Sequence, residues 1–292
     1  VMDAPAAPNH VILCKMRLNE GVRRRNMLVL YFGAFVTLGT AVASSALQPY
    51  LLSTCLGIPS RNQGRIGANG KALGEVATIL MGGATGLASD KFGRRNIYVC
   101  GLLVTGLAFA LLPLFPNVFL FYTLNILMVI GTSTASGMLA TLPADYVVNE
   151  DRGKAGGIVA LFAGLGTVGI GAVAGKVPGW VSKTSLATPD GRGEGRFAYW
   201  LLASLAALTA LVMGRGLAGR TREAAGSWRT PLIETLRAGI RLARADVGLL
   251  LALLSGMVIR GDNQILGLFL PQWCVSASIA RARARAGVGP GA

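Results

Sequence analysis

Gly86-Leu87-Ala88-Ser89-Asp90-Lys91-Phe92-Gly93-Arg94-Arg95 is the stretch that decides how the rest of the chain is read. It stands between two long apolar runs. Gly86 and Asp90 are four residues apart and share one helix face. Gly82 and Gly86 form a small-xxx-small face on which another helix can approach closely. Gly93 permits the tight turn that so short a loop needs. Arg94 and Arg95 anchor that turn at a membrane surface.

Working outward, the flanking sequence is too apolar for a water-facing domain. Of the 292 residues, 52% are hydrophobic and 14% charged, where a soluble domain carries about 25% charged residues. Mean hydropathy is +0.55. Seven runs are long enough to cross roughly 30 Å of hydrocarbon at about 1.5 Å per residue. They cover residues 27–52, 72–89, 97–115, 118–143, 155–175, 197–214 and 247–271. The first is uncharged and too long for the apolar core of a signal peptide. Trp200 and Trp273 sit near predicted helix ends and read as interfacial anchors.

The net charge of +15 would suit nucleic acid, but the basic residues lie between apolar runs and not on one polar face. They therefore read as topology signals. With the N-terminus in the cytoplasm, the inner segments hold 17 Lys and Arg and the outer segments 10, with Arg260 inside a span. That bias favours a cytoplasmic N-terminus. The expected organisation is a basic cytoplasmic tail over 1–26, a six-helix transmembrane bundle over 27–214, a cytoplasmic loop over 215–246, helix seven over 247–273 and a disordered low-complexity tail over 274–292. Pro116-Asn117 forces helices three and four into an antiparallel hairpin. In the loop, Leu232, Ile233, Leu236 and Ile240 recur at helical spacing, with Arg237, Arg241 and Arg244 on other faces. This predicts an amphipathic helix on an anionic leaflet.

The quoted stretch resembles the signature loop between helices two and three of the major facilitator superfamily, G-x-x-x-D-[RK]-x-G-R-[RK], and matches it at every defined position. A second segment supports the resemblance: Asp145 is followed seven residues later by Arg152-Gly153, similar to the acid-x₆-Arg-Gly pattern between helices four and five of many members. The resemblance implies an all-α membrane protein whose six-helix N-terminal bundle comprises two three-helix repeats, followed by a seventh transmembrane helix. It implies that Asp90, Arg94 and Arg95, with Gly86 and Gly93 shaping the loop, form a cytoplasmic gate. Asp145 and Arg152 are expected to join it. A complete member has about twelve helices around a midplane site and works by alternating access, so five helices are expected to be missing here. No arginine occurs in helix four and no Gly-Pro pair in helix five, which weakens a reading as proton-driven drug efflux. The Pro-Glu-Ser pattern of sugar porters after helix six is also absent.

Polar groups at depth in lipid need a purpose or a partner. Gln48 and Asn125 are candidates for hydrogen bonding to solute, and the resemblance places helices one, four and seven around the cavity. Glu75 lies 15 residues before Asp90, about 22 Å away along a helix. It reads either as a coupling group or as a partner of Lys71 near the outer interface. Arg260, Asp262 and Asn263 stand within helix seven. Asp262 is a second candidate proton carrier, and Gly256 and Gly261 offer places where that helix can break.

The expected function is secondary transport of a small organic solute, with a proton or other ion as possible coupling partner and the bilayer as its environment. The alternative is a non-transporting, truncated or receptor-like membrane protein. No enzyme, cofactor or metal is expected. Cys14, Cys55, Cys100 and Cys274 have no CxxC spacing, His10 is the sole histidine, and neither a Walker A loop nor a Ser-His-Asp grouping is visible.

Overall fold

The structure, a computed structural model, describes residues 12–184, 188–219 and scattered positions between 237 and 281. Among the described residues, six helices are long and apolar enough to cross a membrane. Helix α1 spans Arg24–Tyr50 and continues into a π-helical turn at Leu51–Cys55. Then follow α2 (Ser60–Phe92), α3 (Arg94–Leu111), α4 (Val118–Tyr146), α5 (Arg152–Val181) and α6 (Arg192–Gly216). The chain thus runs up and down six times, with short links between antiparallel neighbours.

Most of the helices outrun the apolar stretches that predict them. Helix α2 begins twelve residues before the expected span at 72, because Ser60 to Lys71 carry polar side chains that hydrocarbon excludes but a helix tolerates. Helix α5 runs six residues past the expected end at 175 and so includes Pro178. Helix α3 stops at Leu111, four residues short. The link to α4 is closed by Asn117, whose side chain accepts from the Phe119 N–H at 2.9 Å, an N-cap.

Glycines set how closely the helices cross. A Cβ on Gly166 of α5 would meet the Phe35 backbone oxygen of α1 at 1.8 Å, and one on Gly39 would meet the Gly166 oxygen at 2.6 Å. Between α3 and α4, a Cβ on Gly101 would lie 2.8 Å from the Gly131 oxygen. These crossings are backbone on backbone, the close packing that small residues permit in lipid. Helix α1 packs chiefly on α5 and α6, α3 lies between α4 and α6, and α2 leans on α4.

The buried apolar residues form two clusters, one toward each end. The first holds Met27, Leu30, Tyr98, Leu102, Leu142 and Met213, and the second Leu47, Leu51, Phe109, Phe121, Tyr199 and Leu202. Helices α2 and α5 are the least buried of the six. Gly82 and Gly86 meet nothing within 4 Å, so the close approach their spacing allows is not made by the described residues.

Part of the basic N-terminal stretch is folded against the bundle. Strands β1 (Ile12–Leu13) and β2 (Met16–Arg17) pair antiparallel, with Cys14 and Lys15 turning at positive φ. Met16, Leu18 and Val22 are buried beneath the helix ends. The expected amphipathic loop helix, helix seven and the C-terminal tail fall largely outside the described residues, and so does His10.

Candidate functional site

Gly93 joins α2 to α3 in a single residue, with φ +86°, where any side chain would be strained. Its N–H donates to the Ser89 carbonyl at 2.9 Å, and the Ser89 hydroxyl donates to the Gly86 carbonyl at 2.7 Å. The turn aims Arg94 at the end of α4. Its Nη1 lies 2.9 Å from Asp145 Oδ2 and also donates to the Thr141 carbonyl at 3.1 Å. Both side chains are about two-thirds buried, at 29% and 33% exposure. This shielding gives the pair more weight than a surface ion pair. Arg152 Nε donates to the Ala144 carbonyl at 3.1 Å and reaches Asp145 electrostatically. Asp90 is exposed, makes no ion pair among the described residues, and faces Asp145 as a like charge. Ser89, Asp90, Gly93, Arg94, Arg95 and Asp145 line one shallow cleft, with Tyr146 and Ala218 on its wall. The Arg95 Nε is buried there without a hydrogen bond.

The N-terminal strap completes this end. The Arg17 N–H donates to Asp151 Oδ2 at 2.9 Å, its guanidinium lies 3.2 Å from Glu150, and Lys154 Nζ lies 2.8 Å from Asp151 Oδ1. The Asn19 side chain donates to the carbonyls of Asp145 and Val147 at 2.9 and 3.3 Å. Asn26 Nδ2 donates to the Gly216 carbonyl at 2.7 Å, and the Ala218 N–H donates to the Tyr146 hydroxyl at 3.0 Å. The Asp145 carbonyl is therefore held by Asn19, and the ends of α4 and α6 beside it are tied to the N-terminal segment and to each other.

A second polar group gathers far from this end. Gln48 on α1 and Asn125 on α4 are 5% and 2% exposed, yet Gln48 Nε2 and Asn125 Oδ1 have no hydrogen-bond partner among the described residues. Lys71 on α2 donates to the Ser45 hydroxyl of α1 at 3.1 Å. Glu75, one turn on, is within electrostatic reach of Lys71. A Cβ on Gly70, beside Lys71, would lie 3.7 Å from Asn125 Oδ1. So α1, α2 and α4 bring Gln48, Lys71, Glu75 and Asn125 to one level. Along the three helices these residues lie about 27 to 36 Å from the Gly93 turn at about 1.5 Å per residue. Arg260, Asp262 and Asn263 lie outside the described residues.

Sequence reasoning missed Lys71 as a member of this layer, Asn19 as a partner of the Asp145 carbonyl, and the Arg17–Asp151 contact beside it. Only the i, i+4 spacing of Lys71 to Glu75 was available to find the first. For the strap, two strands of two residues each are too short to carry a periodic signal.

Membrane-length helices, closed at one end by a glycine–aspartate–arginine turn, define a polytopic membrane protein of the transporter type. The chain belongs to the major facilitator superfamily, whose sequence profile matches residues 29–280. It is similar to magnetosome protein MamZ of Magnetospirillum gryphiswaldense, 29% identical over 257 residues covering 83% of this chain and 37% of MamZ. It is also similar to magnetosome protein MamH of Paramagnetospirillum magneticum, 27% identical over 286 residues covering 91% of this chain and 61% of MamH. The chain thus spans less than two-thirds of the length of these relatives.

Proposed function

We propose that this chain forms the N-terminal bundle of a secondary transporter that moves a small organic solute by alternating access, with the Gly93 turn facing the cytosol. The observation that carries the reading is the shielded Arg94–Asp145 pair, built on the loop that characterises the family. Breaking and remaking such a pair is a two-state event, which alternating access requires. The excess of Lys and Arg near this turn supports the orientation. Gln48, Glu75 and Asn125 line the solute path, with Arg260, Asp262 and Asn263 supplied by helix seven. Glu75 and Asp262 are the candidate carriers of a coupling proton. The proposed organisation is a basic cytoplasmic segment to residue 26, the bundle to 214, a cytoplasmic loop to 246, helix seven to 273 and a tail. The names of the matched relatives support a magnetosome membrane as the place of work, so an antibody to the chain should follow the magnetosome fraction of its host.

The test is reversible locking. Arg94→Cys with Asp145→Cys, reconstituted in proteoliposomes, is given radiolabelled organic acids, amines and sugars. The expected result is saturable uptake of at least one class in the reduced protein, lost on oxidation to the disulfide and regained on reduction. Uptake that ignores the disulfide sinks the gate, and absence of saturable uptake across the panel favours the non-transporting reading.

A further inference from the structure

The polar layer at the far end of α1, α2 and α4 has chemistry left over. A buried amide donor or acceptor without a partner costs about 1–3 kcal/mol. Here two stand at one level, Gln48 Nε2 and Asn125 Oδ1, in side chains at least nine-tenths buried. Between them Lys71 offers three N–H donors, and the Ser45 hydroxyl takes one at 3.1 Å. A lysine near a membrane interface commonly reaches outward to water. Lys71 instead crosses inward to α1. Just above the layer, α1 contains Pro49 and passes into the π-helical turn at Leu51–Cys55. Such π-turns occur frequently at functional sites.

The two unpartnered atoms have a definite polarity: Gln48 presents a donor and Asn125 an acceptor. Lys71, bonded to Ser45 and near Glu75, adds a cation with further N–H donors. Glu75, close to Lys71, keeps the layer from being a general anion trap. We propose that this layer is a solute-binding subsite at the outer mouth of the path, taking an oxyanion that carries a hydrogen-bond donor beside it. The oxyanion sits on Lys71 and Gln48, and the donor is a hydroxyl or amine directed at Asn125 Oδ1. A 2-hydroxy carboxylate has that pattern, and monohydrogen phosphate presents the same groups in one anion. This inference rests on the transporter reading for its meaning, but not for its test.

The test uses the purified chain in lipid nanodiscs and follows acetylation of Lys71 by mass spectrometry, with exposed Lys154 as internal reference. Lactate is expected to protect Lys71 about fivefold better than propionate, which differs by one hydroxyl. Phosphate is the second arm, and choline at matched ionic strength is the control that should not protect. Protection by lactate alone assigns the site to carboxylates, and protection by phosphate alone assigns it to phosphates. In Asn125→Leu the preference for lactate over propionate should vanish while lysine protection by anions persists. In Gln48→Leu, protection should weaken about tenfold. Lys71→Gln, scored by an anion-dependent rise in melting temperature, should lose the rise, and Lys71→Arg should keep it. The proposal is overturned if anions and choline protect equally, or if the melting rise survives Lys71→Gln. Anion protection without disulfide-sensitive uptake would leave the site standing and remove the transporter. Disulfide-sensitive uptake without anion protection would do the reverse.

Discussion

The two ends of the bundle treat their polar groups in opposite ways. At the Gly93 end, Arg94, Asp145, Asp151, Asn19 and Asn26 all have partners within the chain. At the far end, Gln48 and Asn125 are buried more deeply than Arg94 and Asp145 but, among the described residues, keep a bare nitrogen and a bare oxygen. Among the described residues the contrast has two exceptions at the first end, the Arg95 Nε in the cleft and the Tyr31 hydroxyl. A satisfied polar network rigidifies. An unsatisfied one is costly to the free protein and becomes favourable only when something binds. On the proposed reading, one end stays shut until its ion pair breaks and the other receives the solute.

Substitutions separate the two ends by the sign of their effect. The largest effect lies between them, at the α1–α5 crossing that holds both in register. Gly166→Val drives a side chain into the Phe35 backbone and should cost about 3 kcal/mol or more, read as loss of the monodisperse peak in detergent. Asp151→Ala comes next. It strips the acceptor from Arg17 and Lys154 at a side chain only 7% exposed and should cost about 2 kcal/mol. The melting temperature should fall. Asn125→Leu should do the opposite. Removing a buried acceptor that has no partner is expected to be neutral or to stabilise by about 1 kcal/mol, so its melting temperature should hold or rise even as solute recognition is lost. A fall as large as that of Asp151→Ala would mean that the far layer is satisfied after all. Smallest is Glu150→Ala at the exposed Arg17–Glu150 pair, 49% and 70% exposed, where less than about 0.5 kcal/mol is expected.

Six helices were legible because the apolar runs are long and the breaks between them carry Gly93, Asn117 and paired charges. Their ends were not, because hydropathy marks where lipid stops and a helix such as α2 continues in polar sequence. The Arg94–Asp145 contact could be anticipated from the resemblance of the two loops, since both residues sit in family patterns. The strap could not, because two two-residue strands have no periodicity to detect. Gln48, Glu75 and Asn125 were found one at a time as polar groups in apolar runs. That α2 slides Lys71 into their midst depends on helix register, which spacing within a single helix does not reveal.

The most direct test is the sidedness of the gate. Cys14, Cys55, Cys100 and Cys274 are replaced by serine, and Ser89, buried in the cleft wall, by cysteine. A membrane-impermeant maleimide is then applied to right-side-out and inside-out vesicles. The expected result is slow labelling from the cytosolic face alone, markedly faster when Arg94→Ala removes the ion pair. Labelling from the outer face, or a rate indifferent to Arg94, would contradict the account.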